Sequence, residues 1–291
     1  MRLLFNLKNN PIFKNILLLF TGTGITQLIP VLNSLILARL YTKEDYGDLA
    51  FYTSVTGVIG IIATLRYELV IVQTRRDNEA RNLLFFSLFT SVCIGIVFLF
   101  FLILFHPLIQ AYINIRDYNI LYSSALIVTC IGFYNVFYSW LNRKRAYKII
   151  VIGLFLQTMT TAVLRLLLGI YGVTNGLIYG LIGGYLSIIL YFLVLYFLDN
   201  RRKVSYYLNV SRNKMRKLVI EYKDFAIYSS GGGLFNSLSN IGLPLFITFF
   251  YSVKVAGIYF FANNLIRLPI GLLSTSIAQV YKKEASVMFY S

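Results

Sequence analysis

The sequence predicts an all-α polytopic membrane protein of about eight transmembrane helices. Three observations carry this. The 291 residues are 58% hydrophobic and 13% charged, with mean hydropathy +0.71, outside the range of a water-soluble domain. The apolar residues fall into runs of about 20 or more, the length of a helix that crosses a bilayer. The 27 Lys and Arg are spread unevenly over the segments joining those runs.

A net charge of +16 in a soluble protein would suggest nucleic acid. Here retention of positive residues on one side of a membrane accounts for it, so no nucleic-acid partner is expected. Twenty-four Phe and 23 Tyr with one Trp suit lipid-facing walls and interfacial belts. Cys93 and Cys130 lie inside apolar runs without metal-ligand spacing and read as small buried hydrophobes. No metal or cofactor is expected, and no constellation suggests an enzyme. No cleavable signal pattern follows Lys14, so the first span should remain in the mature protein.

Taken in order, the candidate spans are 15–38, 49–72, 82–106, 118–140, 149–170, 176–198, 225–250 and 257–280. With the N-terminus in the cytoplasm, 20 Lys and Arg fall inside, four fall outside and three are intramembrane. In the first span Thr23, Gln27, Pro30 and Ser34 recur at helical spacing and form one polar stripe. Such a stripe suits helix packing or a cavity wall. Shifting the chain by 210 places it on Gly233, Ser237, Asn240 and Pro244, and pairs Tyr41 with Tyr251 and Gly47 with Gly257. Spans seven and eight therefore read as a second copy of spans one and two, in parallel orientation.

Three parts follow. Residues 1–198 form a six-helix bundle, 199–224 a basic cytoplasmic linker, and 225–291 the first two helices of a repeated second bundle. In the linker, Met215, Leu218, Val219 and Tyr222 share one face of a short interfacial helix whose charges would attract anionic headgroups. Six spans before the linker and two after it make the chain read as C-terminally truncated, with an oligomer completing the bundle as the alternative.

Charge inside a span normally faces protein or a wet cavity. Arg66, Arg165 and Arg267 lie inside apolar runs. Arg267 is near the centre of its span beside Pro269 and is expected to line a cavity. For Arg66, cavity lining competes with snorkelling. Arg165 is five residues from the outer end of its span, where snorkelling is the expected behaviour and cavity lining the alternative. Glu68 is two residues from Arg66, which on one helix puts them on different faces. A partner on another helix is expected, as a structural pair or an ion-coupling site. Gln27 and Asn240 join the candidate cavity, and Pro30, Pro244 and Pro269 are candidate helix breaks.

The run Ala38-Arg39-Leu40-Tyr41-Thr42-Lys43-Glu44-Asp45-Tyr46-Gly47, followed by Arg66-Tyr67-Glu68, resembles the opening of bacterial O-antigen and capsular polysaccharide flippases, members of the multidrug/oligosaccharidyl-lipid/polysaccharide exporter superfamily. The family commonly has Pro where this chain has Lys43. The segments Arg267-Leu268-Pro269 and Ile277-Ala278-Gln279-Val280-Tyr281 look like the eighth span of those proteins. The resemblance implies two bundles rocking about a cavity. The cargo it implies is an undecaprenyl-pyrophosphate-linked oligosaccharide, crossing the bacterial inner membrane for lipopolysaccharide O-antigen or capsule. It also implies membrane lipids and the polysaccharide polymerase machinery as partners. The arginines would then hold pyrophosphate. The alternatives are a glycan polymerase or ligase of the same pathway, which would want a large outer loop, and a small-molecule antiporter, which would want an acidic cavity.

Overall fold

A computed structural model describes residues 11–112, 117, 119–200 and 211–266. All regular secondary structure among them is helical: α1 (Pro11–Leu40), α2 (Lys43–Ile62), α3 (Tyr67–Gln73), α4 (Asp77–Leu104), α5 (His106–Tyr112), α6 (Asn119–Arg143), α7 (Tyr147–Ile170), α8 (Gly176–Asn200), α9 (Arg212–Glu221), α10 (Lys223–Ile241), α11 (Leu243–Phe250) and α12 (Val253–Ile266). Helices α4, α6, α7 and α8 are each long and apolar enough to cross a membrane. The pairs α2–α3 and α10–α11 add two spans if each bent pair counts once, while Thr26–Leu40 and α12 are shorter apolar helices. The all-α membrane class therefore stands, with four to six spans among the described residues where the sequence predicts eight.

The second expected span, 49–72, is not one helix. Helix α2 ends at Ile62, and α3 leaves at 52° to it after a four-residue break. Leu65 and Arg66 take left-handed φ values of 49° and 61°, and bonds from Leu65 N–H to the Ile62 carbonyl (2.9 Å) and Tyr67 N–H to the Thr64 carbonyl (3.2 Å) stitch the turn. Apolar run length reports that a segment can cross; it does not report helix continuity. Helices α10 and α11 meet at 56° around Gly242, with Pro244 in the first turn of α11. Pro30, by contrast, lies inside a continuous α1, so the break expected there is absent.

Helix α7 packs along both α1 and α8, and α4 along α6. The largest apolar core joins Val70 and Ile71 of α3, Leu83 and Leu84 of α4, Phe137 and Trp140 of α6, and Phe192 of α8. Helix α9 adds Leu218 to this core, while Arg212, Lys214, Arg216 and Lys217 stay exposed. Two hydrogen bonds fix it: the Tyr67 hydroxyl donates to the Val219 carbonyl (2.9 Å), and Ser211 N–H donates to Asn82 Oδ1 (3.0 Å).

Helices α10 and α11 lie on α2, which α12 crosses at the end opposite Arg143. A capping box starts α2 there: Asp45 N–H donates to the Thr42 hydroxyl (3.3 Å) and Thr42 N–H to the Asp45 carboxylate (2.8 Å). A Cβ on Gly47 would strike the Val253 carbonyl, and one on Gly257 would strike the Lys43 carbonyl. Glu44 pairs with Lys254 at 3.3 Å. Under the 210-residue shift, 43 corresponds to 253, 44 to 254 and 47 to 257. The contacts are reciprocal, so the two helices cross about a local pseudo-two-fold axis.

Candidate functional site

A cavity of about 430 Å³ opens between α1, α2, α7 and α12. That is within the range of small-ligand sites. Helix α7 gives it a polar wall because Gln157, Thr161 and Arg165 follow one another at four-residue spacing and share a face. Pro30, Asn33 and Ser34 come from α1, Tyr46 and Thr53 from α2, and Asn264 from α12.

Arg165 is anchored beside this space. Its Nε donates to the Leu177 carbonyl at 2.9 Å, and a Cβ on Gly180 beneath it would come 2.5 Å from its Cγ. The Tyr41 hydroxyl donates to the Arg165 carbonyl at 2.7 Å, tying the α1–α2 turn to α7. Burial pushes the Tyr41 hydroxyl up to about 12, so it remains a donor at neutral pH. Asn33 is buried and donates from Nδ2 to the Ala162 carbonyl at 3.3 Å. Its Oδ1 and the Tyr46 hydroxyl have no hydrogen-bond partner among the described residues. A cation, an acceptor and a hydroxyl thus border one space, a set suited to an anionic or polyhydroxylated ligand.

A second cavity of about 300 Å³ shares Thr53, Phe260 and Asn264 with the first. Asn240, Asn263 and Pro244 face it together with Ser54, Thr56 and Tyr185. Asn240 spends its amide on Asn236, donating to the carbonyl and to Oδ1, each at 2.9 Å. Of the residues singled out from sequence, Arg165 and Pro30 line the first cavity and Asn240 and Pro244 the second. Gln27 lines neither and is half-buried on α1. Arg267 and Pro269 lie outside the described residues.

Arg66 stands apart, at the α2–α3 break. Its left-handed backbone takes it out of the helical register, which overturns the expectation that Arg66 and Glu68 cannot meet: they pair at 3.7 Å. The rule that positions two apart diverge holds only within a continuous helix. Glu68 is 3% exposed and also accepts a hydrogen bond from the Thr64 hydroxyl. Arg66 Nε reaches the Ser229 hydroxyl of α10 at 3.5 Å. It therefore bridges the α2–α3 break and α10.

Gln157, Thr158, Thr161, Asn263 and Asn264 were not singled out from sequence, although they line these cavities. A search for charge passes over them. The signal that finds Gln157 and Thr161 is their spacing to Arg165.

A family model described as polysaccharide biosynthesis protein matches residues 12–281, nearly the whole chain. The chain belongs to that family. No curated protein and no solved structure matches it significantly. In this polysaccharide biosynthesis protein, the polar groups at the junction of α1, α2, α7 and α12 are chiefly neutral amides and hydroxyls with one arginine.

Proposed function

We propose that the protein is a flippase that moves undecaprenyl-pyrophosphate-linked oligosaccharide units across the bacterial inner membrane for O-antigen or capsule assembly. The carrying observation is the 430 Å³ cavity between α1, α2, α7 and α12, in which Arg165, Gln157 and Asn264 stand among largely apolar walls. A polysaccharide-pathway membrane protein with such a cavity has a use for it in holding sugar hydroxyls and phosphate oxygens. With the N-terminus in the cytoplasm, the Glu44–Lys254 clasp lies at the outer end, and Arg143 at the inner. Alternating access then means opening the Gly47–Gly257 crossing outward while α10 and α11 close over the inner side.

The test is the leaflet occupied by the lipid-linked sugar pool in cells lacking the gene. Completed units accumulating on the cytoplasmic side, with re-expression restoring export, support the reading. Units that cross normally and remain unpolymerised overturn it in favour of a polymerase. Arg165→Ala is expected to lower export at least tenfold while the protein still inserts; undiminished export would remove the cationic cavity from the mechanism.

A further inference from the structure

We propose that the inner ends of α3, α6 and α7 form a separate binding site for the phosphate of an anionic lipid, distinct from the transport cavities. A cavity of about 390 Å³ there is bordered by Arg143, Lys144, Arg145, Asp77, Asn142 and Tyr147, with Val72 as an apolar wall. Three consecutive cations face one carboxylate, so the site keeps two net positive charges. Arg143 is committed to structure: its Nη1 donates to the Ile71 carbonyl (3.1 Å) and the Thr74 hydroxyl (3.2 Å), and its Nη2 to Asp77 Oδ1 (2.9 Å). Lys144 and Arg145 are exposed. Lys144 Nζ reaches Asp77 Oδ2 at 2.6 Å and lies 5.2 Å over the Trp140 ring.

Arg145 occupies a place that favours glycine. Ala146 N–H bonds the Leu141 carbonyl (2.9 Å) and Arg145 N–H the Asn142 carbonyl (3.0 Å), the pattern that closes a helix with a left-handed residue, and Arg145 has φ 55°. An arginine held in a strained turn beside a cationic cavity points to a ligand that uses its guanidinium. The ligand is a lipid because α3 and α6 end here and the apolar helices α4 and α7 begin here, which sets the cations at headgroup level with Val72 beside them. Two sources share this chemistry: a glycerophospholipid, or a polyprenyl diphosphate awaiting transport.

Trp140 is the only tryptophan of the chain, so its fluorescence reads the site directly. Purified full chain in neutral detergent is titrated with dioctanoyl phosphatidylglycerol, dioctanoyl phosphatidylcholine, farnesyl diphosphate and inorganic pyrophosphate. A saturable change is expected with phosphatidylglycerol or farnesyl diphosphate and none with phosphatidylcholine. The tighter of the two names the source. Arg145→Gly should raise the unfolding temperature, because it relaxes the turn, and yet weaken lipid binding about fivefold; Lys144→Gln with Arg145→Gln should weaken it at least tenfold, read by native mass spectrometry. Arg39→Gln with Lys43→Gln, an equal loss of exposed charge at the opposite end of α2, should leave binding unchanged. Equal weakening by that pair, pyrophosphate binding as tightly as either lipid, or no saturable response overturns the proposal.

Discussion

The two bent spans reach similar angles, 52° between α2 and α3 and 56° between α10 and α11, by different means. At Gly242 and Pro244 the covalent chemistry of the chain does the work: proline has no N–H to continue a helix, and a Cβ on Gly242 would lie 2.5 Å from the Leu238 carbonyl oxygen. At Leu65 and Arg66 no glycine or proline is present. Two side chains sit in a left-handed conformation that costs each about 1 kcal/mol or more. What repays that cost is tertiary: Glu68 pairs with Arg66, and Ser229 of α10 lies at its other side. The first break therefore depends on its partners, whereas the second is built into the backbone.

The largest effect should come from separating the partners at the first break. Arg66→Ala leaves the buried Glu68 carboxylate with the Thr64 hydroxyl and a backbone N–H but without its countercharge. Because Arg66 is 24% exposed and 3.7 Å away, the loss should be about 2 kcal/mol and not the full cost of breaking a buried pair. Thermal unfolding in detergent measures it. Arg66→Ala combined with Glu68→Gln should recover most of the loss, because the buried charge goes with its partner. If the double variant is as unstable as the single one, the pair does not hold the break and the contrast fails.

A middle-sized effect is expected at the second break. Pro244→Ala restores an N–H and removes the ring, so α10 and α11 can run together. Stability should change by less than about 1 kcal/mol, but spin labels at exposed Phe235 and Phe249 should move apart as the bend opens. An unchanged distance would mean that packing on α2, and not proline, sets this bend as well.

This contrast also explains how much was legible in the sequence. Pro244 could be read because its effect is local. The break at Arg66 could not, because nothing in Thr64-Leu65-Arg66-Tyr67-Glu68 marks a left-handed turn, although the charge inside an apolar run correctly drew notice to the place. The Arg66–Glu68 pair was excluded for the same reason: the spacing argument assumed a helix. Arg165 was legible as a cation inside an apolar run but not as a side chain anchored on the Leu177 carbonyl, which requires knowing that α8 packs against α7. The 210-residue shift pairs Gly47 with Gly257, and these two glycines lie against each other, a contact that the shift by itself does not predict.

The smallest effect should be at the ion pair beside that crossing, and it sharpens the comparison by extending it to a third junction. Glu44 and Lys254 are conspicuous at 3.3 Å, but their side chains are 36% and 59% exposed. An exposed pair loses most of its attraction to water and to the entropy of two long side chains. Next to it, the backbones approach so closely at Gly47 and Gly257 that neither position has room for a Cβ. Glu44→Gln should therefore leave unfolding unchanged, and reversing both charges should do the same, whereas Gly47→Leu should separate α2 from α12 and lower the unfolding temperature measurably. A loss on Glu44→Gln comparable to that of Gly47→Leu would make this junction resemble the Arg66 break, held by charge. The expected result makes it resemble the Gly242–Pro244 break instead, where the residue type at one backbone position sets the geometry and the side chains nearby only adjust to it.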